Sequence, residues 1–230
     1  MAKHLDLEEQ EQLDQLKHFW NTYGNLITWV LIAVFGSIAA WNGWQYWQRQ
    51  QAAQAAAIYD EVERATQAGD TARVERAFSD IKDKFGRTAF AQQAGLLAGK
   101  ALIEKGNMDG GKAALQWVAL AGADDGYQAI ARLRLAGLLL ETKDYDGALK
   151  HLAADFPAEF RGLVADRRGD IYTLQGKKAE AKAEYLRAYE ALEERSEYRR
   201  LVEVKLNALG VDPKPQAAAA ASAASGSAKP

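Results

Sequence analysis

Apolar positions along this chain follow two regimes. Near the N-terminus they are continuous: "GNLITWVLIAVFGSIAAWNGWQYW", Gly24 to Trp47, is the only long apolar run, and no residue from Ile27 to Trp44 is charged. A helix rises about 1.5 Å per residue and needs roughly 20 apolar residues to cross a hydrocarbon layer, so the run predicts a spanning helix over 26–47. From Gln48 to Gly210 apolar residues recur instead at three- and four-residue spacing among Ala, Leu, Glu, Lys and Arg, and Pro157 is the only proline. That pattern predicts an almost wholly helical domain over 48–210. Gly and Asp punctuate it in "TQAGDTA", "IEKGNMDGG", "ETKDYDG" and "LQGKKAE", each between two helical stretches of about a dozen residues, so the repeated unit is a helical hairpin. Ahead of the run, Leu5, Leu13, Leu16 and Trp20 form a stripe opposite an acidic face. The lead-in 1–25 is therefore expected to be an amphipathic helix that lies on a membrane surface, touches another protein or is simply solvated, and that Asn21, Gly24 and Asn25 break before the span. After Gly210, "VDPKPQAAAAASAASGSAKP" has too few large apolar side chains to bury and predicts a disordered Pro/Ala/Ser tail over 211–230.

The hairpins repeat in sequence as well as in pattern. Aligning "LAGLLLETKDYDGALKHL" with "RRGDIYTLQGKKAEAKAEY" pairs Ala136 with Gly169, Leu139 with Tyr172, Ala148 with Ala181 and Leu152 with Tyr185, an offset of 33 residues. An earlier copy pairs Gly99, Leu102, Gly111 and Leu115 with the same positions, 37 residues before. Both offsets are close to the 34-residue tetratricopeptide period, whose small residues mark where two helices approach closely. The expected architecture is all-α: one N-terminal transmembrane helix followed by an α-solenoid of tetratricopeptide-like hairpins. Val62, Ala65, Val74, Phe78 and Ile81 are packing candidates in an atypical first unit, and a helix near Glu197 to Leu209 caps the last. The first helices of such hairpins line a concave surface suited to peptides. Its expected lining is Gln93, Leu96, Lys100, Ile103, Ile130, Leu133, Gly137, Leu140, Leu163, Asp166, Asp170 and Thr173, although Leu96 and Leu133 fit packing positions equally well. The Lys and Asn clamp by which some of these repeats grip a C-terminal carboxylate is missing, since its positions hold Leu96 and Lys100, Leu133 and Gly137, and Asp166 and Asp170. Apolar or mixed clients are expected instead.

Aromatic residues flank the span, with Trp20, Tyr23 and Trp29 near one end and Trp41, Trp44, Tyr46 and Trp47 at the other, as rings that favour the headgroup level should. A cleavable signal peptide is disfavoured, because Asp6, Glu8, Glu9, Glu11 and Asp14 outnumber Lys3 and Lys17 in a segment that would have to be short and positive. Lys17 and Arg49 on opposite sides leave orientation almost undetermined by charge, and an inside N-terminus is expected. Ala33, Gly36, Ser37, Ala40 and Gly43 recur at spacings that let another membrane helix approach closely, although small residues are common in any span.

Composition narrows the chemistry. A formal net charge of -2 with both signs interspersed gives no basic patch for nucleic acid, so no nucleic-acid partner is expected. Zero cysteines exclude disulfides, thiolate metal sites and a cysteine nucleophile. Of three histidines only His151 falls in the repeat region, where an exposed helix position is expected, so no histidine metal motif can be built. "GNMDGGK" lacks the spacing of a phosphate loop and reads as a repeat turn. Carboxylates in "KDKF", "EERSEYRR" and "DRRGD" sit beside Lys and Arg and read as solvated helix faces rather than catalytic pairs. The chain is expected not to be an enzyme and to carry no cofactor.

These parts together, with "LKHFWNTYGN" entering the span and "WNGWQYW" leaving it as the most specific stretches, resemble the YfgM family of ancillary SecYEG translocon subunits of proteobacteria. The resemblance covers the chain to about Gly210. It implies a single-pass inner-membrane protein with a cytoplasmic N-terminus and periplasmic repeats, contacting the SecYEG translocon and the membrane-anchored chaperone PpiD. It further implies help for unfolded exported proteins; a membrane-tethered scaffold for another envelope complex is the alternative.

Overall fold

The computed structural model describes residues 7–213, with side-chain surroundings from Gln12 onward. Leu5 and all but the first three residues of the expected tail therefore lie outside the described residues. Among those described there are nine α-helices and no strand. They are α1 (Leu7–Ala68), α2 (Thr71–Phe85), α3 (Ala89–Glu104), α4 (Met108–Ala121), α5 (Asp125–Glu141), α6 (Tyr145–Leu152), α7 (Arg161–Leu174), α8 (Lys178–Ala191) and α9 (Glu197–Ala208), with one 3-10 turn at Ala158–Phe160. The chain divides into two compact units, the first ending at Ala53 and the second beginning at Gln54.

In the first unit, the expected break at Asn21, Gly24 and Asn25 does not occur: α1 passes through all three. Local bonding explains this. Thr22 and Thr28 donate their hydroxyls to the carbonyls of His18 and Gly24 at 2.8 and 2.7 Å, and the Trp20 ring lies against Gly24, where an added Cβ would sit 3.1 Å away. Polar residues that bond back to the preceding turn need not end a helix.

In the second unit α2 to α6 start on a polar side-chain cap, whereas α7, α8 and α9 have no side-chain cap bond. The side chains of Asp70, Thr88, Asn107, Asp124 and Asp144 accept backbone N–H groups at the starts of α2 to α6. These caps satisfy donors that an α-helix leaves unpaired at its N-terminus. Several helices end on a left-handed residue: Gly69, Gly106, Gly176 and Gly210 have φ between 68 and 83°, and Lys143 takes the same role with φ 62°. In "GNMDGGK" only Gly106 and Asn107 form the turn, whereas Met108 onward is already α4, so the expected turn is shorter than its glycines suggest.

The core is a relay of four apolar clusters. Val62 and Ala65 of α1 meet Val74, Phe78 and Ile81 of α2 and the small face of α3. Leu96, Leu115, Val118 and Leu135 join α3, α4 and α5. Leu139, Leu152 and Ile171 join α5, α6 and α7, and Ala181, Tyr185, Val202 and Leu206 join α8 and α9. Hairpin partners touch where side chains are absent: a Cβ on Gly99 would lie 2.7 Å from Leu115, one on Gly111 would lie 2.8 Å from the Gly99 carbonyl, and one on Gly169 would lie 2.5 Å from the Tyr185 ring. Leu102, Ala136, Ala148 and Ala181 are buried, and Tyr172 is half-buried beside the last cluster. One helix departs from the dozen-residue expectation. α6 has 8 residues where α4 and α8 have 14, and it ends ahead of Pro157, which cannot continue a helix.

Candidate interaction surfaces

Within the first unit, one helix among the described residues is long and apolar enough to cross a membrane. Trp20, Tyr23, Trp29, Trp41, Trp44 and Trp47 are all half or more exposed on it. Its polar side chains are satisfied locally: Ser37 donates to the Ala33 carbonyl at 2.7 Å and Asn42 to the Ile38 carbonyl at 2.9 Å, as a hydrocarbon surrounding demands. At about 100° per residue, Ala33, Gly36, Ser37, Ala40 and Gly43 share one face of the helix. Nothing lies within 4 Å of where a Cβ would stand on Gly36 or Gly43.

In the second unit the first helices of successive hairpins touch, α3 on α5 and α5 on α7. Gln93 bridges the first pair by donating to the Tyr127 hydroxyl at 2.6 Å, and Arg134 donates to the Leu96 carbonyl at 2.9 Å. Lys100 and Thr173 are exposed, and Ile103, Ile130, Leu133, Gly137, Leu140, Leu163 and Asp170 are half-buried. Two expected groove residues are not on the surface. Leu96 is buried under α4 and α5 within an apolar cluster. Asp166 is only 1% exposed because α9 covers it.

That burial creates a polar knot between α7, α8 and α9. Lys205 on α9 reaches both Asp166 oxygens at 2.8 and 2.9 Å and Asp170 at 2.7 Å, while Tyr198 donates to Asp166 at 2.6 Å. Tyr185 on α8 donates to Asp170 at 2.8 Å, and the Lys205 ammonium lies 5.3 Å from the Tyr185 ring centre. Burial foremost, then the Asp166 hydrogen bond and charge, holds the Tyr198 phenol well above the ordinary tyrosine value. Burial also raises Tyr185, opposed by the Thr173 hydroxyl and reinforced by Asp170. Two carboxylates, one ammonium and two phenols here bond to one another, an arrangement that ties α9 to the stack. The solvated reading of "DRRGD" is therefore wrong at Asp166, and no spacing announces it, since Lys205 lies 39 residues away. His151 also departs from its exposed expectation: it is half-buried, and burial, followed by the charges of Lys112, Arg132 and Lys150, lowers its pKa.

Among the described residues no group of three or more His, Asp or Glu is placed to hold a metal ion. Relatives with this layout are known. The family described as tetratricopeptide repeat-like domain matches residues 17–211, which takes in both the apolar helix and the hairpins. The chain is 32% identical over 210 residues to a protein of Neisseria gonorrhoeae named ancillary SecYEG translocon subunit, an alignment covering 91% of this chain and 100% of that one. Proteins of the same name from Aggregatibacter actinomycetemcomitans and Escherichia coli are 29% and 23% identical, over 88% and 76% of this chain and 98% and 84% of theirs. Agreement over nearly full length, through the span and the repeats alike, places this chain in the family of ancillary SecYEG translocon subunits.

Proposed function

We propose that this chain is a membrane-anchored, non-catalytic interaction subunit that associates with the SecYEG translocon through its apolar helix and serves newly exported proteins through its repeats. The observation that carries this reading is the near full-length likeness to proteins named for that association. The chain sits in the inner membrane with a cytoplasmic N-terminus and periplasmic repeats. A C-terminal domain of this length crosses largely regardless of its charge. The face bearing Gly36, Ala40 and Gly43 packs against a translocon helix, where small residues allow close backbone approach. The repeat unit works beside the membrane-anchored chaperone PpiD on exported chains that have not yet folded.

The test is to tag the chain, extract membranes in mild detergent and identify what co-purifies, beside a control with an unrelated span in place of Gly24 to Trp47. Translocon subunits and PpiD are expected with the native chain, and translocon subunits should be lost from the control. A different envelope complex with no translocon subunit would overturn the proposal in favour of a tethered scaffold.

A further inference from the structure

α6 stops early, at Leu152, and the space beside the segment that follows it is open. It forms a cleft of about 490 Å³, within the size range of ligand sites, between the segment after α6, the start of α7 and the outer face of α8. Phe156, Val164, Ala165 and Ala191 give it an apolar lining. Its charged lining is balanced, with Arg161, Arg168 and Arg187 against Asp155, Glu184 and Glu190. Arg168 is committed to the Leu152 carbonyl. Glu184 stands apart from the rest: its side chain is 10% exposed, one oxygen accepts from Arg187 at 2.7 Å, and the other is buried with no hydrogen-bond partner. A buried carboxylate oxygen without a donor is unusual enough to call for one.

We infer that this cleft is a polypeptide-binding site that takes a short extended segment without net charge, carrying an aliphatic side chain. The inference rests on the proposed service to exported chains and places it on the second-helix side of the stack. An extended backbone presents N–H and C=O groups in alternation. It can therefore give an N–H to Glu184 and receive N–H groups from Arg161 and Arg187, while its side chain covers Phe156 and Val164. A charged ligand gains nothing from a lining of three positive and three negative groups. On the first-helix side, by contrast, the α7 positions Asp166 and Asp170 are already held by Lys205.

The experiment uses the full chain in detergent micelles and fluorescence anisotropy of a labelled, end-capped peptide, Ser-Gly-Leu-Val-Leu-Gly-Ser. Ala191→Trp fills the cleft from an exposed position of α8, and Gly137→Trp fills the first-helix face of α5 at a position with open space around it. The expected result is at least tenfold weaker binding for A191W, less than twofold change for G137W, and unchanged thermal unfolding for both. Replacing the peptide's valine by aspartate should weaken binding similarly. Native affinity in A191W, loss in G137W alone, or no binding by the native chain would each overturn the inference. Co-purification with translocon subunits, read separately, would still support the translocon association in any of those cases.

Discussion

Glycine illustrates how much a single position depends on its neighbour across the hairpin. Gly169→Ala places a methyl group 2.5 Å from the Tyr185 ring and should destabilise the repeat unit by about 2 kcal/mol, an overpacking cost, in denaturant titrations. Gly137→Ala, also inside a helix but with nothing within 4 Å of the new atom, should stabilise by roughly 0.5–1 kcal/mol through reduced backbone entropy. Lys205→Ala leaves Asp166 buried with Tyr198 as its remaining donor and should cost about 3 kcal/mol, because an unpaired buried charge is expensive. The two phenols set a pH limit. Their folded pKa values are raised, so the native chain keeps protons that the unfolded chain loses near the ordinary value of about 10. Stability is fully present below that value and declines as pH rises past it. Thermal unfolding followed from pH 8 to 11 should show the decline, and Tyr198→Phe should shallow it. At this scale the small residues of the hairpins were legible, because Gly99, Ala136 and Gly169, and likewise Gly111, Ala148 and Ala181, recur at offsets of 37 and 33 residues. The Asp166–Lys205 pairing was not, since its partners share no period and both look like surface charge.

Helices and turns were the most readable level of the chain. Hydrophobic spacing located the hairpins, and Gly or Asp marked the turn inside four of them, between α1 and α2, α3 and α4, α5 and α6, and α7 and α8. Errors came where a residue's general tendency was outvoted locally: Asn21, Gly24 and Asn25 stay helical because neighbouring hydroxyls and the Trp20 ring support the turn, and Gly110 and Gly111 join α4 because Asn107 caps it. Lys143 is the exception among the left-handed turn residues, a side chain where the other turns hold glycine. Lys143→Gly should therefore stabilise by about 1 kcal/mol, the cost of a left-handed conformation for a residue with a Cβ, with differential scanning calorimetry as the check. Asp144→Ala, one residue on, removes the cap of the short α6 and should lower stability by about 1 kcal/mol.

For the molecule as a whole, the span and the solenoid follow from segregation of apolar sequence, continuous in one stretch and periodic in the rest. The surfaces were harder to read. A groove position and a core position differ by one helical step, so the spacing left Leu96 open between the two until its burial settled it as packing, and Asp166 was misplaced because the helix covering it arrives from the far end of the repeat. The early end of α6 has a further consequence, in the way the stack comes apart. Solenoid repeats are held only by their neighbours, and a junction with a helix of 8 residues where α4 and α8 have 14 offers less to hold. Amide protons of α6 should accordingly exchange with deuterium sooner than those of α4 or α8, and intermediate denaturant should free α7 to α9 from α2 to α5 as separate cooperative blocks. An opening there would widen the seam beside α8 while leaving the knot around Lys205 closed.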